Sequence, residues 1–143
     1  MIKTTIHTFR EIKEGSHFEH IYQITPAVYE GFLKTFKDYS PIHCDDNYAK
    51  LVGFQEKVMH GAILNGFLSH FLGMVMPGKK AMLLTSDMRY TSPCKLNDEV
   101  RFQVSVIRKV AATQTLLLSL SVMRVSAKEV VSRGKIQVKV RDE

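Results

Sequence analysis

The chain is poor in cysteine, with Cys44 and Cys94 as its two thiols, and these form neither a CxxC pair nor a metal-ligand spacing. A disulfide-stapled secreted scaffold is therefore excluded, and two reduced thiols are expected. The opening residues, Met1-Ile2-Lys3-Thr4-Thr5-Ile6, contain no apolar h-region, and the long apolar stretch in the sixties and seventies is interrupted by Asn65, Ser69 and His70. A soluble, cytoplasmic protein with no membrane partner is the expectation. Dense basic runs and interleaved aromatic residues are missing too, which argues against a nucleic-acid partner. A Gly-rich phosphate loop, a nucleophile elbow and an HExxH motif are all absent, and no cofactor is expected. Internal repeats, low-complexity segments and interdomain linkers are likewise lacking.

What is present fits one globular domain, taken as residues 1–143, which is long enough for a real core and too short for two. Lysine and arginine outnumber acids 20 to 14, giving +6, and much of the excess lies between Lys95 and Arg141. Such a surface concentrates anionic ligands without choosing among them.

The segment His17 to Ile24 reads as a strand, with Phe18, His20, Tyr22 and Ile24 on one face. Thr25-Pro26 then opens a helix with a hydroxyl cap and proline at the first position, and Val28, Phe32 and Phe36 share one stripe. Asp45 caps a short helical turn that Gly53 ends. The longest helix is expected from Val58 to about Met76, halted by Pro77-Gly78 and apolar on nearly every side, as for a helix buried all round. In it Gly61, Gly66 and Gly73 would let neighbouring backbone approach closely. The remainder alternates with period two: Ala81 to Tyr90, then runs containing Val100 to Val106, Leu116 to Val122 and Ile136 to Val140. Half-buried strands with short connections favour an antiparallel sheet, and an apolar helix beside it gives an α+β fold with the sheet curled around the helix.

The chemistry concentrates at Asp38-Tyr39-Ser40-Pro41-Ile42-His43-Cys44-Asp45, followed seventeen residues after His43 by His60-Gly61. On one continuous helix, an acid and an imidazole five residues apart would point about 140° away from each other. Pro41 breaks the helix and pushes Ser40 out of the helical region, so a turn can bring Asp38 and His43 together. A carboxylate beside an imidazole suits proton transfer near neutral pH. The bland alternative is that Asp38 caps a turn and His43 is a satisfied buried histidine. Gly61, at a helix start, offers an unpaired amide to a developing oxyanion, or simply permits close packing. A metal site drawn from His43, Asp45, Asp46, Glu56 and His60 matches no standard ligand spacing, and none is expected. His7, His17, His20 and His70 are given no catalytic role.

These residues, together with Tyr48-Ala49, Met59-His60-Gly61, Leu72-Gly73 and Met76-Pro77-Gly78, and later Ser92-Pro93 and Asn97-Asp98-Glu99-Val100, resemble the MaoC-like (R)-specific enoyl-CoA hydratases, whose motif is D-x-N-P-I-H followed by a histidine-glycine helix start. The resemblance implies a hot-dog fold, a curved antiparallel sheet wrapped around a long central helix, as a homodimer with sites at or near the subunit interface. It implies an acyl-CoA or acyl-carrier-protein thioester as substrate. Asp38 and His43 would deprotonate the water that adds to C3, the Gly61 amide would polarise the thioester carbonyl, and Ser69 would stand at the family's small hydroxyl position near the dyad. Ser40 replaces the family's asparagine, so a shorter hydroxyl stands where an amide could fix the loop or the water. His60, in the histidine-glycine pair, joins Ser40, Gly61 and Ser69 as a substrate-binding candidate. Two other readings stay open: an acyl-thioester binding protein without catalysis, and a thioesterase whose carboxylate directs water at the carbonyl carbon.

Overall fold

A computed structural model describes residues 2–141. In chain order its elements are β1 (His17–Gln23), α1 (Pro26–Phe36), α2 (Pro41–Cys44), α3 (Asp46–Leu51), α4 (Ala62–His70), β2 (Ala81–Tyr90), β3 (Glu99–Val110), β4 (Thr115–Arg124) and β5 (Glu129–Val140). The strands form one antiparallel sheet in the order β1-β3-β4-β5-β2. This is the α+β hot-dog arrangement, with the inner face of the sheet laid against α4.

Period-two patterning decides which face is inner. Val100, Phe102, Val104 and Val106 of β3 are buried, as are Leu116, Leu118, Leu120 and Val122 of β4 and Ile136, Val138 and Val140 of β5. They meet Ile63, Leu64 and Leu68 of α4 and Phe71, Leu72 and Met76 beyond it in one apolar cluster. Burial of this kind is the main favourable term in folding, at about 25 cal/mol for each Å² of apolar surface removed from water. On β1, Tyr22 and then Ile24 face in, whereas His20 is exposed.

The long helix differs from the sequence expectation in three ways. Residues 58–60 are not helical, because the Val58 and Met59 amides donate to the Ile42 and Cys94 carbonyls at 3.1 and 2.8 Å, so helix begins at Ala62. After His70 the helix widens into a π-helical turn over Phe71–Val75. Nor is α4 buried all round: Ala62, Asn65, Gly66 and Ser69 form an exposed stripe. Among its glycines, Gly66 and Gly73 have open space where a side chain would stand, and Gly61 alone is crowded, by the Tyr90 ring.

Helix α1 begins as its sequence indicates, the Thr25 hydroxyl accepting from the Val28 amide with Pro26 in the first turn. Its buried aromatic residue is Tyr29, while Phe36 is exposed. Val28, Phe32 and Phe36 instead line an apolar groove of about 710 Å³, shared with Ala62, Asn65, Gly66 and Phe67 from α4. No described helix is long and apolar enough to cross a membrane.

Candidate active site

The end of α1 sets the site. Lys37 takes the left-handed conformation there and donates its amide to the Leu33 carbonyl at 2.8 Å, which turns the chain out of the helix toward Asp38. The Asp38 carboxylate accepts the Ser40 backbone amide at 3.1 Å, a side chain closing its own turn. Pro41 opens α2, a single turn whose third residue is His43. The proline thus does what the spacing required, bringing His43 back over Asp38. One side-chain ligand atom from each of Asp38, His43 and His60 lies within 4.8 Å of the others.

Backbone carbonyls assign the imidazole protons. Nδ1 of His43 is 2.8 Å from the Val58 carbonyl oxygen, which can only accept, so Nδ1 carries the hydrogen and Nε2 of the neutral ring carries the lone pair. Nε2 of His60 lies 2.8 Å from the Asp38 carbonyl oxygen and donates to it, and it stands 3.9 Å from the Asp38 carboxylate. The His60 ring packs at a tilt against His43, at a centroid separation of 4.0 Å, and against Phe32, at 4.5 Å. His60 is buried while the Asp38 side chain is half exposed, so the acid keeps contact with water and the second imidazole supports it from beneath.

Tyr29 holds the other end of His43, donating its hydroxyl to the His43 carbonyl at 2.5 Å. Burial first, then the hydrogen bond with Cys44 and the nearby negative groups, pushes the Tyr29 phenol up to about 12, so it stays a donor at all ordinary pH.

Gly61 is the N-cap of α4, and its amide donates to no group among the described residues. It lines a cleft of about 260 Å³ with His60, Leu64, Tyr90 and the Thr91 to Cys94 turn. A Cβ at Gly61 would stand 3.0 Å from the Tyr90 ring. Asp38 and His43 do not line this cleft; His60 does, with one ring face on His43.

The other sequence candidates fall out differently. Ser40 meets Asp38 through its backbone amide, not its hydroxyl. Ser69 does not meet the dyad within one chain: it sits on the exposed stripe of α4, roughly 12 Å along the axis from Gly61 at 1.5 Å per residue. The acids considered for a metal are engaged elsewhere, Asp45 capping α3 through the Asn47 and Tyr48 amides and Asp46 accepting from the Lys57 amide. Asp38 and Nε2 of His43 have free lone pairs for a cation, but the His60 nitrogen on that side carries a hydrogen, which leaves two protein ligands where zinc usually takes three or four. Sequence reasoning missed Tyr29, Phe32, Val58 and Tyr90. Tyr29 had a signal in its position one residue off the Val28 stripe; the Val58 carbonyl had none.

Asp38, His43 and His60 thus gather close to the start of α4 on a hot-dog scaffold. The chain belongs to the MaoC-like domain family, whose model matches residues 8–128. It is 29% identical over 101 residues to an (R)-specific enoyl-CoA hydratase of Rhodospirillum rubrum, covering 71% of this chain and 70% of that protein. It is 26% identical over 118 residues to a 3-hydroxybutyryl-CoA dehydratase of Methylorubrum extorquens, covering 82% and 74% of the two chains. In fold it resembles the unliganded R-hydratase PhaJ1 of Pseudomonas aeruginosa, with a TM-score of 0.86 at 24% identity over 95% of this chain and 86% of that one. It also resembles the (R)-hydratase from A. caviae involved in PHA biosynthesis, with a TM-score of 0.85 at 22% identity over 92% and 99%.

Proposed function

We propose that this protein is a hydro-lyase that hydrates trans-2-enoyl thioesters to (3R)-hydroxyacyl thioesters and, in reverse, dehydrates them. The observation that carries the reading is the close grouping of Asp38, His43 and His60, with the His43 lone pair on Nε2. Membership of the MaoC-like family and the hydratase and dehydratase names of its relatives support it.

In the proposed reaction Asp38 and His43 hold one water, Nε2 of His43 takes its proton, and the oxygen forms a bond to C3. The electron pair of the C2–C3 double bond shifts toward the thioester carbonyl, giving an enolate whose oxygen the Gly61 amide stabilises. The proton then passes from the imidazolium to C2, so the water is consumed whole and the dyad is restored. The substrate is an acyl-CoA or acyl-carrier-protein thioester. Two copies are proposed to assemble through the unpaired edge of β2, where Met82, Leu83 and Leu84 are each about half exposed.

The test follows crotonyl-CoA by loss of the enoyl absorbance alongside a free-thiol assay. Hydration removes the chromophore and releases no thiol. Asp38→Asn and His43→Ala each lower turnover roughly 10²- to 10⁴-fold, the usual worth of general acid–base groups, with unchanged circular dichroism. Thiol release would make the protein a thioesterase, and full activity in Asp38→Asn would remove the dyad.

A further inference from the structure

The outer face of the sheet carries a feature that the dyad does not use. Arg89 on β2 and Arg133 on β5 are direct cross-strand partners, and two residues along, Lys135 pairs with Asp87. Residues i and i+2 of a strand share a face, so all four side chains project from the same side. Like charges placed directly opposite on a sheet repel and destabilise it. The strands nevertheless press together here, since a Cβ at Gly134, between Arg133 and Lys135, would stand 2.8 Å from the Asp87 carbonyl oxygen. Arg89, Arg133 and Lys135 make no ion pair among the described residues, and all three are exposed. With Asp87, Thr91 and Ser119 they line a cleft of about 460 Å³. Three cations face one carboxylate there, and that carboxylate stands at the Lys135 end, leaving the arginine pair without an acid in its own register.

The cleft adjoins the Gly61 end of the proposed reaction site. Thr91 lines both it and the cleft at Gly61, so the two open on either side of one short turn of chain. We propose that the outer cleft binds a phosphate group of the nucleotide end of a coenzyme A thioester. Arg89 and Arg133 grip the phosphate through their planar donor forks, and Lys135 adds charge. This rests on the thioester reading above and deepens it: the arginine pair selects coenzyme A by its nucleotide, whatever acyl group the thioester carries.

Two measurements test this. Calorimetric titration with adenosine 3′,5′-bisphosphate, the nucleotide end of coenzyme A, should show one site that weakens with added salt, and inorganic phosphate should bind more weakly there. In Arg89→Gln/Arg133→Gln the affinity should fall about tenfold or more, as loss of charged hydrogen bonds implies. Should the double variant fail to fold by circular dichroism, Lys135→Gln alone should still weaken binding. The same variants should lower the ratio of kcat/KM for crotonyl-CoA to that for crotonyl-pantetheine, through KM. No nucleotide binding by the wild type, or equal binding by the folded variants, overturns the proposal. A wild type that binds the nucleotide through these residues yet turns over neither thioester leaves the cleft standing and defeats the hydratase reading.

Discussion

His43 is held at both ends by groups outside its own helical turn: its ring donates to the Val58 carbonyl, and its carbonyl accepts from Tyr29. Removing the Tyr29 hydroxyl leaves that part-buried carbonyl without its partner, at a cost of about 1 kcal/mol. Tyr29→Phe is therefore expected to lower the melting temperature by roughly 2–4 °C and to slow hydration less than His43→Ala does, with KM little changed; a wild-type melting curve would show the bond to be idle. The closeness of Asp38 and His43 was legible because an acid and an imidazole on either side of a proline show in the residue types themselves. Val58 was not, since every residue carries a carbonyl and which one faces an imidazole depends on the chain's path. Ser40 is a middle case: the asparagine-to-serine departure is plain in the sequence, but the group touching Asp38 is an amide that either residue would supply.

Elements whose periodicity is set by local burial read directly. The alternation in β3, β4 and β5 and the Thr25-Pro26 start of α1 match the observed strands and cap. The start of α4 was hidden, because residues 58–60 are held out of the helix by carbonyls of Ile42 and Cys94, distant in sequence. The exposed stripe of α4 was hidden as well, because an apolar helix does not announce which side another element covers. Cys94 links this segment to pH. Burial chiefly, and then the Asp98 carboxylate, pushes its thiol up from 9.0 to about 11. Between those values the unfolded chain loses the proton while the folded chain keeps it, so stability falls as pH rises from about 9 to 11. Melting temperatures measured across that window should decline in the wild type and decline less steeply in Cys94→Ala. Below pH 9 the exposed Cys44 should react with a thiol reagent well before buried Cys94 does.

At the scale of the whole molecule, the two margins of the sheet are unlike. β1 exposes one large apolar residue, Ile21, among His17, Glu19, His20 and Gln23, whereas β2 exposes Met82, Leu83 and Leu84 in succession. Lysine on an edge strand discourages pairing with another chain. Leu83→Lys/Leu84→Lys should thus shift sedimentation from a two-chain species toward a single chain of 16.3 kDa, and an unchanged profile would place the contact elsewhere. The asymmetry also sets a number. A pair joined margin to matching margin is related by a two-fold axis, and each member has then used the strand that made joining favourable. What would remain on the outside is the margin of β1, where Ile21 stands alone between polar neighbours and gives a third copy less to hold. In the proposed pair the matching of like margins closes the assembly, and a protein with an open-ended sheet would then stop counting at two.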